Sequence, residues 1–100
     1  MNIPAKFNLM GQTIEVEYLK GLRVETDGVG EAAYGLNKIR IQENAEGNPR
    51  TREAIEETFC HELVHWILKM MEENNLRIDE RFVGIFSRLL HQALSTFSWD

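Results

Sequence analysis

Thr58-Phe59-Cys60-His61-Glu62-Leu63-Val64-His65-Trp66-Ile67-Leu68-Lys69-Met70 is the stretch on which the reading of this chain turns. Phe59, Leu63, Trp66, Ile67 and Met70 recur at helical spacing, and Val64, Leu68 and Met71 widen the stripe. A helix apolar around so much of its circumference is buried on most sides. Thr51 stands where an N-cap belongs, and acidic Glu53, Glu56 and Glu57 occupy the early turns, where the helix dipole favours them. Glu72-Glu73-Asn74-Asn75 is expected to end the helix, near Met71. Asp79 then caps a second helix, whose apolar positions Phe82, Phe86, Leu89, Leu90, Ala93 and Phe97 follow an i, i+4, i+7, i+8 pattern.

Upstream the period changes. Ile14, Val16 and Tyr18 alternate with Thr13, Glu15 and Glu17, as in a half-buried strand. Lys6 to Met10 precedes it across Gly11-Gln12, which suggests a hairpin. Residues 20–31, with Gly21, Asp27-Gly28 and Gly30, read mostly as loop. Lys38 to Gln42 alternates Ile39 and Ile41 with Lys38, Arg40 and Gln42, and its charges suggest an edge strand. Glu43 to Asn48 reads as a second loop. Strands followed by helices, without alternation, predict an α+β fold: a small twisted sheet of about three to four strands on two helices.

Within the deciding stretch, His61-Glu62-Leu63-Val64-His65 is an H-E-x-x-H motif. Residues four apart lie nearly above one another on a helix, so both imidazoles can reach one ion at about 2.0–2.1 Å. Glu62 projects about 100° around the axis from His61, beside the ion, where it can take a proton from a metal-activated water. By chance the motif should occur in only roughly a few per thousand chains of this length. Zn²⁺ is the expected ion for two imidazoles and a carboxylate.

A third ligand is needed, and His91, Glu72, Glu73, Asp79, Glu80 and Asp100 are the candidates. Glu72 and Glu73 lie about two turns beyond His65 on the same helix, too far along the axis. Glu80 is preferred: it shares a face of the second helix with Gly84, Ser87 and His91, and small residues there permit close approach. Asp79 is left as a cap or supporting residue. For stabilising an oxyanion, His91, Tyr34 and Tyr18 are the candidates, each with a plain structural alternative. Cys60 reads as a buried small apolar residue, and Ser98-Trp99-Asp100 as either a frayed terminus or a plug over the ion.

The 100 residues carry 43% apolar side chains, 16 acidic and 11 basic residues and a net charge of −5. That length predicts one domain over residues 1–100, too small for a two-lobed enzyme. The acidic balance, without a basic cluster, argues against nucleic-acid or anionic-membrane partners. One cysteine excludes an intrachain disulfide, no signal peptide is evident and no apolar run is long enough to span a bilayer, so a cytoplasmic setting is expected.

Thr58 to Leu68 followed by Glu80-Arg81-Phe82-Val83-Gly84-Ile85-Phe86-Ser87-Arg88-Leu89-Leu90 resembles the gluzincin-type zinc metallopeptidases, in particular the small ImmA/IrrE-like and minigluzincin proteins of phages and bacteria. The resemblance spans about residues 51 to 97. It departs in the short interval from His65 to Glu80 and in Val83-Gly84, where ImmA/IrrE-like proteins usually carry Ala and Asn. It implies a minimal zincin-like core, His61, His65 and Glu80 as zinc ligands, Glu62 as catalytic base, and a protein or peptide substrate aligned on an edge strand, for which Lys38 to Gln42 is the candidate. The alternatives are a zinc-bound interaction or regulatory module, and a latent form blocked by its own terminus.

Overall fold

The computed structural model describes residues 1–23, 28–44, 47 and 49–100. It has the expected α+β character, with β1 Lys6–Leu9, β2 Gln12–Leu19, β3 Gly30–Ala33, β4 Lys38–Gln42, then α1 Arg52–Met70, α2 Asn74–Arg77 and α3 Glu80–Ser95. The expected loops over residues 20–31 and 43–48 lie partly outside the described residues.

The hairpin turns at Met10-Gly11, one residue earlier than expected, and both residues have positive φ (48° and 79°). Two left-handed residues match the natural twist of paired strands, and Gly11 accepts that conformation without strain. Gln12 thereby joins β2, opposite Leu9.

The sheet order is β1-β2-β4-β3. β4 pairs parallel with β2 and antiparallel with β3, so Lys38–Gln42 is a central strand and not the edge its charges suggested. Those charges are neutralised across the sheet. Lys38 Nζ lies 2.6 Å from Glu17 Oε2, and Arg40 Nη1 lies 3.2 Å from Glu31 Oε1. Cross-strand ion pairs let a central strand keep a polar outer face. The free edge beside the helices is β3, the Gly-Glu-Ala-Ala segment that sequence alone had assigned to a loop and its exit.

Ile14, Ile39 and Ile41 of the sheet pack on Phe59, Cys60 and Trp66 of α1. The Trp66 indole N–H donates to the Lys38 carbonyl at 2.9 Å, which ties α1 to the start of β4. A second, smaller cluster, Val64, Leu68 and Val83, joins α1 to α3.

Both predicted caps form. Thr51 Oγ1 accepts the Ala54 N–H at 3.0 Å, and Asp79 Oδ1 accepts the Phe82 N–H at 3.0 Å. Each satisfies one of the amides a helix start leaves unpaired. The apolar stripe of α3 is a correction. Its buried positions are Val83, Ser87 and His91, whereas Phe86, Leu89 and Phe97 are exposed. Burial of the Ser87 and His91 face follows from the buried His91 and Glu56 pairing described below. Met71, expected in the α1 stripe, is also exposed, because the helix ends at Met70. No helix among the described residues is long and apolar enough to cross a membrane.

Candidate metal centre

The interval between His65 and Glu80 is spanned by a tight sequence of turns. The Glu72 N–H donates to the Lys69 carbonyl and the Glu73 N–H to the Leu68 carbonyl, each at 3.0 Å, with Glu72 at φ 59°. This is a Schellman ending built on a non-glycine residue. One short turn, α2, follows, and Asp79 then starts α3 so that Glu80 faces back onto α1.

Glu80 Oε2 lies 3.1 Å from His61 Nε2, and Glu80 Oε1 lies 3.2 Å from His65 Nε2. Among the described residues these three form the one group of His, Cys, Asp or Glu side chains placed to share an ion, with ligand atoms within 4.8 Å of one another. Ligands about 2.0–2.1 Å from a tetrahedral centre stand about 3.3–3.4 Å apart, so the contacts are already near the required spacing. The His65 ring also hydrogen-bonds the Arg77 backbone, and burial holds it below the ordinary histidine range. A ring nitrogen committed to a backbone carbonyl fixes the tautomer and leaves the other nitrogen for a metal. Two imidazoles and a carboxylate on two rigid helices therefore suit a divalent metal ion, Zn²⁺ among others, and no cysteine takes part. The Cys60 thiol is buried and pushed up to about 11.

Glu62 is only 7% exposed. Burial, then the charges of Glu80 and Glu31, push its carboxyl up to about 8, against a hydrogen bond from the Ala32 backbone. A carboxyl raised toward neutrality is suited to taking and returning a proton. Gly30 lets the strand sit this close. A Cβ there would lie 2.5 Å from Thr58 Cγ2 and 2.7 Å from Glu62 Oε2. The Gln42 N–H donates to the Val29 carbonyl, so Gly30 and Ala32 turn their backbone groups away from β4 and toward the open side.

Two cavities flank Glu62. The larger, about 540 Å³, borders Gly30, His61 and Glu62, and the smaller, about 280 Å³, borders Ala32, Tyr34, His65 and Glu80. Tyr34 thus lies at the site. It stacks edge-on against Trp66 at 5.0 Å, with the Arg77 guanidinium 5.4 Å from its ring centre, and burial raises its hydroxyl. Arg77 was not singled out in the sequence; only its place in the short loop before Glu80 marked it. Tyr18 lines a separate cavity with Arg52 and Ile55. His91 is 5% exposed and bonds Glu56 at 2.9 Å, so it serves the helix interface and neither ligates nor stabilises an oxyanion. Trp99 is 91% exposed against Phe97 and does not plug the cleft.

Compared with family models, with curated proteins and with solved structures, the chain matches none of them.

Proposed function

We propose that this chain is a zinc-dependent peptidase that hydrolyses a peptide bond with activated water. The observation carrying this reading is the convergence of Glu80 on both motif histidines, across a turn that contains no glycine. His61, His65 and Glu80 hold the ion. Bound zinc supplies Lewis acidity toward the scissile carbonyl and lowers the pKa of water. Glu62 accepts a proton and returns it to the leaving amine. Tyr34 and Arg77 line the smaller cavity as hydrogen-bond donors toward a developing oxyanion. The Gly30 backbone and the Ala32 carbonyl, which face away from β4, align an extended peptide by strand addition. The substrate is a cytoplasmic protein or peptide.

Metal content and turnover test this. Purified protein should hold about one zinc per chain, His61→Ala and Glu80→Ala should hold none, and an unbiased peptide library should be cleaved only by zinc-loaded protein. Stoichiometric zinc in both variants refutes the ligand set. A second reading, a zinc-bound interaction module, is favoured by the exposed apolar face of α3 at Phe86 and Leu89. It predicts bound zinc with no cleavage.

A further inference from the structure

The larger cavity beside Glu62 is unlike the smaller one in charge. Its wall includes two arginines, Arg50 just before α1 and Arg88 on α3, together with Gly84 and Ser87, whose small side chains leave it open. Arg50 is fixed by backbone and hydroxyl acceptors. Nη1 donates to the Gln42 carbonyl at 2.8 Å, and Nη2 to the Ala54 carbonyl at 3.2 Å and to Thr58 Oγ1 at 2.6 Å. Arg88 Nε donates to the Gly84 carbonyl at 3.2 Å. Among the described residues, no carboxylate comes within ion-pair distance of either guanidinium. Glu57 shares the wall, with one carboxylate oxygen 3.9 Å from His91 Nδ1. Burial, then the charge of Arg23, push Arg50 below its ordinary value.

The strand edge says which part of a peptide meets this wall. β3 runs from Gly30 beside the larger cavity to Ala32 beside the smaller. An antiparallel addition, the more stable pairing, runs the other way, so the peptide leaves past Gly30 with its C-terminal half.

We propose that the cavity lined by Arg50 and Arg88 binds a carboxylate on the C-terminal side of the scissile bond, from either an acidic side chain or a free chain terminus. This rests on the peptidase reading for its register. A guanidinium binds a carboxylate through paired N–H donors; Arg88 has only its Nε committed, so its two Nη groups can make that contact, while Arg50, held by three acceptors, adds a fixed positive charge to the wall. Neutral residues of the same shape lose that interaction.

The test uses zinc-loaded Glu62→Gln protein and calorimetry with acetyl-Ala-Ala-Ala-Xaa-Ala-Ala-amide, where Xaa is Glu or Gln, and with acetyl-tetra-alanine carrying a free or amidated terminus. An alanine background lets the peptide slide until its charged group finds its subsite. A charged hydrogen bond corresponds to about ten- to hundredfold tighter binding of the carboxylate partner, and Arg88→Gln and Arg50→Gln should each abolish it. Preference for Glu alone names the side chain as source, and preference for the free terminus alone names the chain end. Equal binding in both pairs, no binding, or a preference that survives Arg88→Gln overturns the proposal, and Arg88→Gln decides it if Arg50→Gln fails to fold. Wild-type cleavage with no preference for either the Glu side chain or the free terminus sinks the subsite and leaves the peptidase reading standing. Carboxylate-selective binding with no cleavage of any peptide does the reverse.

Discussion

Glu56 and Glu62 lie on the same helix and are buried to nearly the same degree, at 6% and 7% exposure, yet their carboxyls are displaced in opposite directions. Glu56 meets His91 at 2.9 Å, the N-terminal amine at 3.6 Å and Arg52 Nε at 3.1 Å, and the His91 hydrogen bond is the main reason it sits below the ordinary carboxylate range. Glu62 has the Ala32 backbone and, among the described residues, no cation in ion-pair contact, and burial raises it. A small exposed area alone therefore does not set the behaviour of an acid; the protein packed around it and its partners do. The closed pair stitches α3 to α1, while the open one is left with reactivity that stability alone does not call for.

The largest break of this comparison comes from removing each carboxylate in turn. Glu62→Gln should lower turnover by about 10²–10⁴-fold with zinc still bound, whereas Glu56→Gln should leave zinc content unchanged. Activity surviving Glu62→Gln in zinc-loaded protein refutes its role as base. Stability should move the opposite way. Removing one partner of the buried Glu56 and His91 pair, by His91→Ala, should cost about 3 kcal/mol in chemical denaturation, whereas Glu62→Gln should leave metal-free protein as stable or more so.

Gly30→Ala sharpens the same contrast, because it pushes on Glu62 and not on Glu56. Displacing β3 or the Glu62 side chain should cost about 1–3 kcal/mol and depress turnover, read by thermal melts and kcat. Wild-type turnover at wild-type Tm contradicts the tight fit.

The gentlest probe is pH, applied to chelated protein. Glu56 has a depressed folded value, so its contribution is full above its ordinary 4.5 and is lost as pH falls through the folded value. Glu62 is raised from 4.5 to about 8, so its contribution is present below 4.5 and is lost as pH climbs toward 8, at up to about 1.4 kcal/mol per unit. Denaturant midpoints against pH should lose the high-pH decline in Glu62→Gln and the low-pH decline in Glu56→Gln.

The motif helix, both N-caps and the hairpin were legible because each rests on local rules: spacing, a side chain reaching an amide, alternation. Glu80 was preferred because it shares a helix face with the small residues Gly84 and Ser87, which permit close approach to α1. β3 was not, since Gly30-Glu31-Ala32-Ala33 has neither β-branched residues nor apolar alternation and is a strand only because β4 and α1 flank it. Lys38 and Arg40 misled for a related reason. Their partners, Glu17 and Glu31, lie on neighbouring strands, and no local pattern announces a cross-strand ion pair. The apolar residues of α3 suggested a buried stripe, but burial followed the His91 and Glu56 pair, formed between residues far apart in sequence.

The turn from Lys69 to Asp79 behaves as a gauge block. It contains no ligand, yet its length sets where Glu80 arrives, and each residue added at the start of α3 rotates that helix by about 100°. A substitution at exposed Asn75 should be tolerated, whereas one inserted or deleted residue should swing the carboxylate off both histidines. Arg77 apart, the position of Glu80 depends on how many residues this segment has more than on which they are.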